Sequence, residues 1–163
     1  MEIVVYRSRR RRKTIQGFVK DGVIIIHLPM GLDPSEEKKH IDLIAKKLEK
    51  KNSVSQNKNQ ILLSELFAKF NSEFFLGRLS INSIQFVDNQ NVISGSCTPA
   101  NKTIRISERM LDFPQWVLNY VVIHEMAHLV HPDHSRDFWD IVNRYRYTER
   151  ARGFLMAKGM ERD

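Results

Sequence analysis

The stretch Val121-Val122-Ile123-His124-Glu125-Met126-Ala127-His128-Leu129-Val130-His131-Pro132-Asp133-His134 decides how the chain is read. It holds four of the six histidines within eleven residues and sets a glutamate among them. His124 and His128 stand four apart, so on a helix both rings leave one face, one turn above the other. Two imidazoles placed this way can hold one metal ion. Glu125 lies about 100° round such a helix from His124 at 3.6 residues per turn. There it flanks the ion without being a ligand, the general-base position of an HExxH hydrolase acting through a metal-activated water.

Catalytic zinc usually keeps three protein ligands and one open position. His131 shares the helical face, but a rigid helix sets it roughly 10 Å along the axis from His124 at 1.5 Å per residue. Three rings so placed line up rather than converge. His134 follows Pro132, and a proline biases the residue before it out of the helical region. The chain is therefore expected to turn after Val130 or His131 and bring His134 back. Zn2+ is therefore expected on His124, His128 and His134, with Glu125 as the general base and His131 behind the ligands or at the rim.

On the upstream side, Asp112-Phe113-Pro114-Gln115 reads as a helix start, with Asp112 as N-cap, Gln115 closing a capping box and Pro114 in the first turn. Trp116, Leu118, Tyr120, Val121, Val122 and Ile123 then make an apolar helix buried on most sides, which holds imidazoles rigidly and limits water. Downstream, Ser135 is expected to cap a helix to about Tyr145, with Phe138, Trp139, Ile141 and Val142 in the core. Asp137 and Asp140 could orient ligand rings through a carboxylate–histidine bond, but a solvated helix face is the expected account of both. Arg144, Tyr145 and Tyr147 are the residues that could reach the site as oxyanion donors.

At 163 residues and 42% hydrophobic, the chain can bury one real core. Its longest apolar run near the N-terminus, Val23-Ile24-Ile25-Ile26, is too short to span a membrane and lacks the order of a secretion signal, so a cytoplasmic location without membrane contact is expected; the sequence leaves the oligomeric state open, with a monomer as the default. The lone Cys97 excludes an internal disulfide and a zinc-thiolate cluster. A net charge of +7 favours acidic partners. Arg7, Arg9, Arg10, Arg11, Arg12 and Lys13 place six positive charges in seven residues. A solvated, self-repelling arm accounts for them. Nonspecific phosphate contact is the sharper alternative, though no aromatic residues are interleaved there to stack on bases.

Taken in order, the chain is α+β. Met1–Tyr6 reads as a strand, and Ile15–Lys20 and Val23–Leu28 flank Asp21-Gly22 as a β-hairpin. Pro34 with Ser35-Glu36-Glu37 opens a helix to about Lys51. The polar, unpatterned Lys50–Asn59 reads as a linker, dividing an N-terminal hairpin-and-helix part with the basic arm, residues 1–52, from the part that carries the histidine cluster, residues 60–163, although the two could form one compact domain. A second amphipathic helix spans Gln60–Phe75. Strands follow at Ile81–Val87, Ile93–Thr98 and Thr103–Ser107, with a turn at Asn89-Gln90-Asn91, and a last helix runs from Glu149 to about Met160. Small residues in Ser94-Gly95-Ser96 leave a backbone that an extended peptide could join by strand pairing. A bulge at Gly95 explains the glycine equally well.

Several of these segments, in order, resemble the YgjP-like family of zinc metallopeptidases, relatives of the SprT-like and minigluzincin proteases. They are Phe74-Phe75-Leu76-Gly77-Arg78-Leu79, Ser94-Gly95-Ser96-Cys97, Leu118-Asn119-Tyr120-Val121-Val122-Ile123-His124-Glu125, and His134-Ser135 with Phe138-Trp139. The resemblance implies a small zincin-like domain, with a mixed or antiparallel sheet packed on the active-site helix behind the N-terminal hairpin. It also implies zinc on His124, His128 and His134, Glu125 as catalytic base, and peptide or protein substrates. The metzincin spacing is satisfied too, but His131 stands where that group has glycine, so metzincins rank lower. The rival is a noncatalytic module in which zinc staples a small fold and the basic arm binds nucleic acid, as in SprT-like association with DNA. A thiol enzyme using Cys97 is a third class, and nothing in the sequence places a histidine beside that thiol.

Overall fold

The computed structural model describes residues 1–160 apart from Asp21 and Asn91. The chain divides into two compact units, Met1–Lys58 and a second beginning at Asn59. In the first, β1 (Glu2–Ser8), β2 (Gln16–Lys20) and β3 (Val23–Pro29) form a sheet in the order β1-β3-β2. The antiparallel β2–β3 pair is the expected hairpin, while β1 joins the other side of β3 in parallel, with Tyr6 opposite His27. Asp21 of the expected turn lies outside the described residues; Gly22 takes a φ of +76°, which glycine adopts without strain.

Alternation along β3 sends Ile24, Ile26 and Leu28 into a core with Ala45, Ile41, Ile44 and Leu48. These last four belong to α1 (Pro34–Phe75). Asp33 starts that helix: its carboxylate accepts from the Ser35 backbone N–H at 2.9 Å and hydroxyl at 2.6 Å. Both bonds hold the Asp33 carboxyl below its usual value. Gly17 brings the sheet close to this helix, since a Cβ there would stand 2.5 Å from Ile44 Cγ2. A Gly17→Ala variant should therefore lose about 1–3 kcal/mol of stability, read from urea unfolding midpoints. An unchanged midpoint would show that Ile44 moves aside freely.

The linker expected at Lys50–Asn59 is helical. α1 runs unbroken through it. Ser53–Lys58 is exposed throughout, so it has no buried stripe to give a 3.6-residue pattern, and it contains neither glycine nor proline to stop a helix.

In the second unit β4 (Ser83–Val87), β5 (Gly95–Thr98) and β6 (Thr103–Ser107) form a mixed sheet in the order β4-β6-β5. β4 is parallel and β5 antiparallel to β6, which leaves β5 at an edge. Asn91, the end of the expected turn before β5, lies outside the described residues. Helices α2 (Gln115–Ala127), α3 (Arg136–Val142) and α4 (Thr148–Ala157) complete the unit, and α2 packs against β5, β6, α3 and α4. Its core joins Leu63, Phe70 and Phe74 of α1, Ile104 and Ile106 of β6, Val117, Val121 and Val122 of α2, Phe138 and Val142 of α3, and Leu155 of α4.

The start of α2 differs from the capping box expected at Asp112. Asp112 ends a 3-10 turn, Glu108–Asp112, and Phe113 and Pro114 are extended before the helix begins. A residue preceding proline is pushed out of the helical region, so Asp112 sits too far back to cap. The Pro114 carbonyl instead accepts from Val117 and Leu118 at 2.8 and 3.4 Å, and Gln115 Nε2 donates to Asn119 Oδ1 at 2.9 Å. Among the described residues no helix is long and apolar enough to cross a membrane.

Candidate metal centre

His124 of α2, His128 just past its last residue and His134 further on meet on one side of α3. α2 ends at Ala127, and tight turns follow: the N–H groups of Val130 and His131 both donate to the Ala127 carbonyl, at 3.0 and 2.9 Å. The chain thus leaves the helix at His128, earlier than Pro132 alone implies, and then bends back through Pro132 and Asp133. One ring nitrogen from each of His124, His128 and His134 falls within 4.8 Å of the others, a group able to hold a metal ion. His124 Nε2 and His134 Nε2 are 3.2 Å apart. Two nitrogens each about 2.0–2.1 Å from one tetrahedral divalent ion such as zinc are about 3.3 Å apart, so this pair already has the separation that a shared ion requires.

The surroundings suit neutral ligand rings. His128 Nδ1 lies 3.1 Å from the His131 carbonyl oxygen, which can only accept, so Nδ1 carries the proton and donates, leaving Nε2 with its lone pair toward the group. Burial is the main influence holding His128 below the usual imidazole value. His131 thus meets His128 through its backbone carbonyl. His124 Nδ1 lies 3.4 Å from the hydroxyl of buried Tyr120, one turn earlier on α2. Phe138, fully buried on α3, forms the floor: its ring lies 4.9, 4.6 and 4.8 Å from the rings of His124, His128 and His134. Trp139 stacks on His134 at 5.8 Å. Read from the sequence as core residues, these two are also the walls that hold the histidines. Asp137 and Asp140 are exposed, and Asp140 pairs with Arg136 at 3.9 Å, away from any ring-orienting role.

Glu125 is only 5% exposed. Burial pushes its carboxyl up to about 8, into the range where one group can both take and return a proton near neutrality; a bound cation would pull that value down. What makes room for the carboxylate is Gly95 on β5. A Cβ there would lie 2.8 Å from Glu125 Oε1 and 2.9 Å from its Cγ. That contact joins positions thirty residues apart and is a third reason for a glycine in this strand, beside the two that the sequence suggested. Ser94 accepts the Ser107 N–H at 2.9 Å through its carbonyl, and Ser96 Oγ accepts from Gln90 Nε2 at 2.7 Å. Gln90, read from sequence as a turn residue, is buried and ties β5 in place; its carbonyl also accepts from Ser107 Oγ at 2.7 Å.

The other candidates fall elsewhere. Arg144 donates to the carbonyls of Phe74 and Glu73 at 2.9 and 3.1 Å, satisfying the C-terminal end of α1, whose last turn has no basic residue of its own. Tyr145 donates to the Trp116 carbonyl at 3.2 Å, and Tyr147 stacks under Arg146 with its ring 4.3 Å away. Burial, reinforced by Glu125, pushes the Cys97 thiol up to about 12, and a protonated thiol is a poor nucleophile. Of the basic run, Arg7 is bound to Glu37 of α1, with Nε at 3.0 Å, and Arg11 donates to Gln16 Oε1 at 3.3 Å.

No curated protein matches the chain. Among solved structures it is similar to the metallopeptidase zymogen abylysin of Pyrococcus abyssi, with a TM-score of 0.51 and 20% identity over 59% of this chain and 93% of that one. Jannalysin of Methanocaldococcus jannaschii, also a metallopeptidase zymogen, gives a TM-score of 0.49 and 18% identity over 59% and 95%. The abylysin likeness shows a shared small metallopeptidase fold. By sequence, residues 36–152 match the YgjP-like metallopeptidase domain. That match begins in the first turn of α1, ends within α4 and takes in the edge strand, the buried glutamate and all three converging histidines, so the chain belongs to the YgjP-like metallopeptidase family.

Proposed function

We propose that this metallopeptidase is a zinc-dependent endopeptidase or exopeptidase in which His124, His128 and His134 hold the ion and Glu125 is the general base. The observation that carries the reading is the meeting of three imidazole nitrogens within 4.8 Å beside a buried carboxylate. Zinc, when bound, supplies the Lewis acidity that lowers the pKa of water and polarises a peptide carbonyl. Glu125 takes the proton of the attacking water and returns it to the leaving amine. The Ser94-Gly95-Ser96 backbone at the sheet edge aligns an extended peptide by strand pairing, alongside the carboxylate that Gly95 accommodates.

The 163-residue chain loaded with one equivalent of zinc should cut casein or a peptide library, with the cut sites read by mass spectrometry. Loaded, folded protein that cuts nothing in a broad library would contradict peptide hydrolysis. A Gly95→Ala variant supports or weakens the geometry separately. The added methyl must displace the Glu125 carboxylate, and a misplacement of about 1 Å at a reacting group costs on the order of 10²-fold in rate. Zinc content should not change. Wild-type turnover in that variant would mean that the carboxylate position is unimportant.

A further inference from the structure

The outward face of the N-terminal sheet carries an aromatic row that the sequence alone does not reveal. Tyr6 of β1, His27 of β3 and Phe18 of β2 lie far apart in the chain, and the β1-β3-β2 order sets them side by side. Tyr6 and His27 stack at 5.3 Å with 22° between their planes, and His27 and Phe18 at 5.9 Å with 26°. The end rings are the open ones, Tyr6 at 53% and Phe18 at 42% exposure. Large aromatic side chains on a sheet face are usually buried, and these point away from the core formed by Ile24, Ile26 and Leu28.

The basic run ends beside this row. Gln16 stands opposite His27 in the β2–β3 register, and Arg11 donates to the Gln16 side chain at 3.3 Å. Arg7 is taken up by Glu37, but among the described residues Arg9, Arg10, Arg12 and Lys13 form no ion pair. Lys20 shares the outward face of β2 with Gln16 and Phe18 by alternation.

We propose that this face binds single-stranded nucleic acid. Bases extend the stack at Tyr6 and Phe18, and the Arg9–Lys13 run meets the phosphates. The sheet supplies the aromatic rings that are missing from the basic run itself, and rings beside positive charge are the combination that single strands require. A duplex keeps its bases stacked inside, so it can use only the charges. An anionic membrane would likewise use the charges without the ring stack.

The test is fluorescence anisotropy of the full chain with a labelled single-stranded oligonucleotide of about twelve nucleotides. A duplex of the same sequence and phosphatidylserine vesicles serve as comparison probes. Tyr6→Ala and Phe18→Ala should each weaken single-strand binding by about 5- to 150-fold, while Tyr6→Phe and Phe18→Tyr, which keep the rings, should stay near wild type. Replacing Arg9, Arg10 and Arg12 with Gln should flatten the dependence of log K on log salt by about 0.7 per arginine. The last two sets retain every ring and the sheet core, so they decide the matter if an alanine variant misfolds. Binding that ignores the rings in folded variants, a salt slope unmoved by the arginines, duplex binding as tight as single-strand binding, or vesicle binding without oligonucleotide binding would each overturn the proposal.

Discussion

Replacing Glu125 with glutamine is expected to lower peptide turnover by about 10²–10⁴-fold, the range that positioned acid–base groups supply, while zinc content and fold stay as they are. The amide has the shape of the carboxylate and fits the same space against Gly95. It cannot accept the water's proton. Because burial disfavours the charged form of Glu125, a neutral amide also removes a desolvation cost, so thermal stability should hold or rise. The check is a fixed-concentration peptide assay beside metal analysis of the same preparation. Full activity in the variant would remove Glu125 from the mechanism, and loss of metal along with activity would make it a ligand instead.

The second large effect concerns the histidines and separates a catalytic ion from a structural staple. Each of His124→Ala, His128→Ala and His134→Ala should weaken zinc binding by more than about 100-fold, since loss of partners behind a ligand already costs 10–100-fold. Activity should disappear with the ion, yet the chain should stay folded. The core of the second unit rests on apolar groups from α1, β6, α2, α3 and α4 rather than on the rings. Chelation should therefore remove only the stabilisation that binding adds, about 2.7 kcal/mol at a hundredfold excess over Kd, and leave a cooperative thermal transition. If chelation abolishes that transition, zinc is a staple and the noncatalytic rival gains the argument.

The candidate site was legible where its logic is local. His124, His128 and His134 are set by helix periodicity and by a turn within eleven residues, and the structure brings these three rings together while using His131 only through its carbonyl. What the sequence could not reveal depends on distant partners. Gly95 faces Glu125 across thirty residues, Phe138 floors three rings while looking like any core aromatic, and Arg144 caps a helix that ends some seventy residues earlier. In the fold, the β2–β3 hairpin was written in its turn signal. The parallel β1–β3 pairing had no local signature, because parallel partners need not be neighbours in sequence. The break expected in α1 falls where its side chains are exposed all round, since amphipathic pattern reports burial and not helicity itself.

The most direct test of the central claim is anomalous diffraction at the zinc absorption edge from crystals of the zinc-loaded full chain. One peak is expected about 2.0–2.1 Å from His124 Nε2, His128 Nε2 and a His134 ring nitrogen together, with the Glu125 carboxylate beside it and outside bonding distance. A peak held by His131, a peak bonded to Glu125, or no peak near these rings after soaking in excess zinc would contradict it.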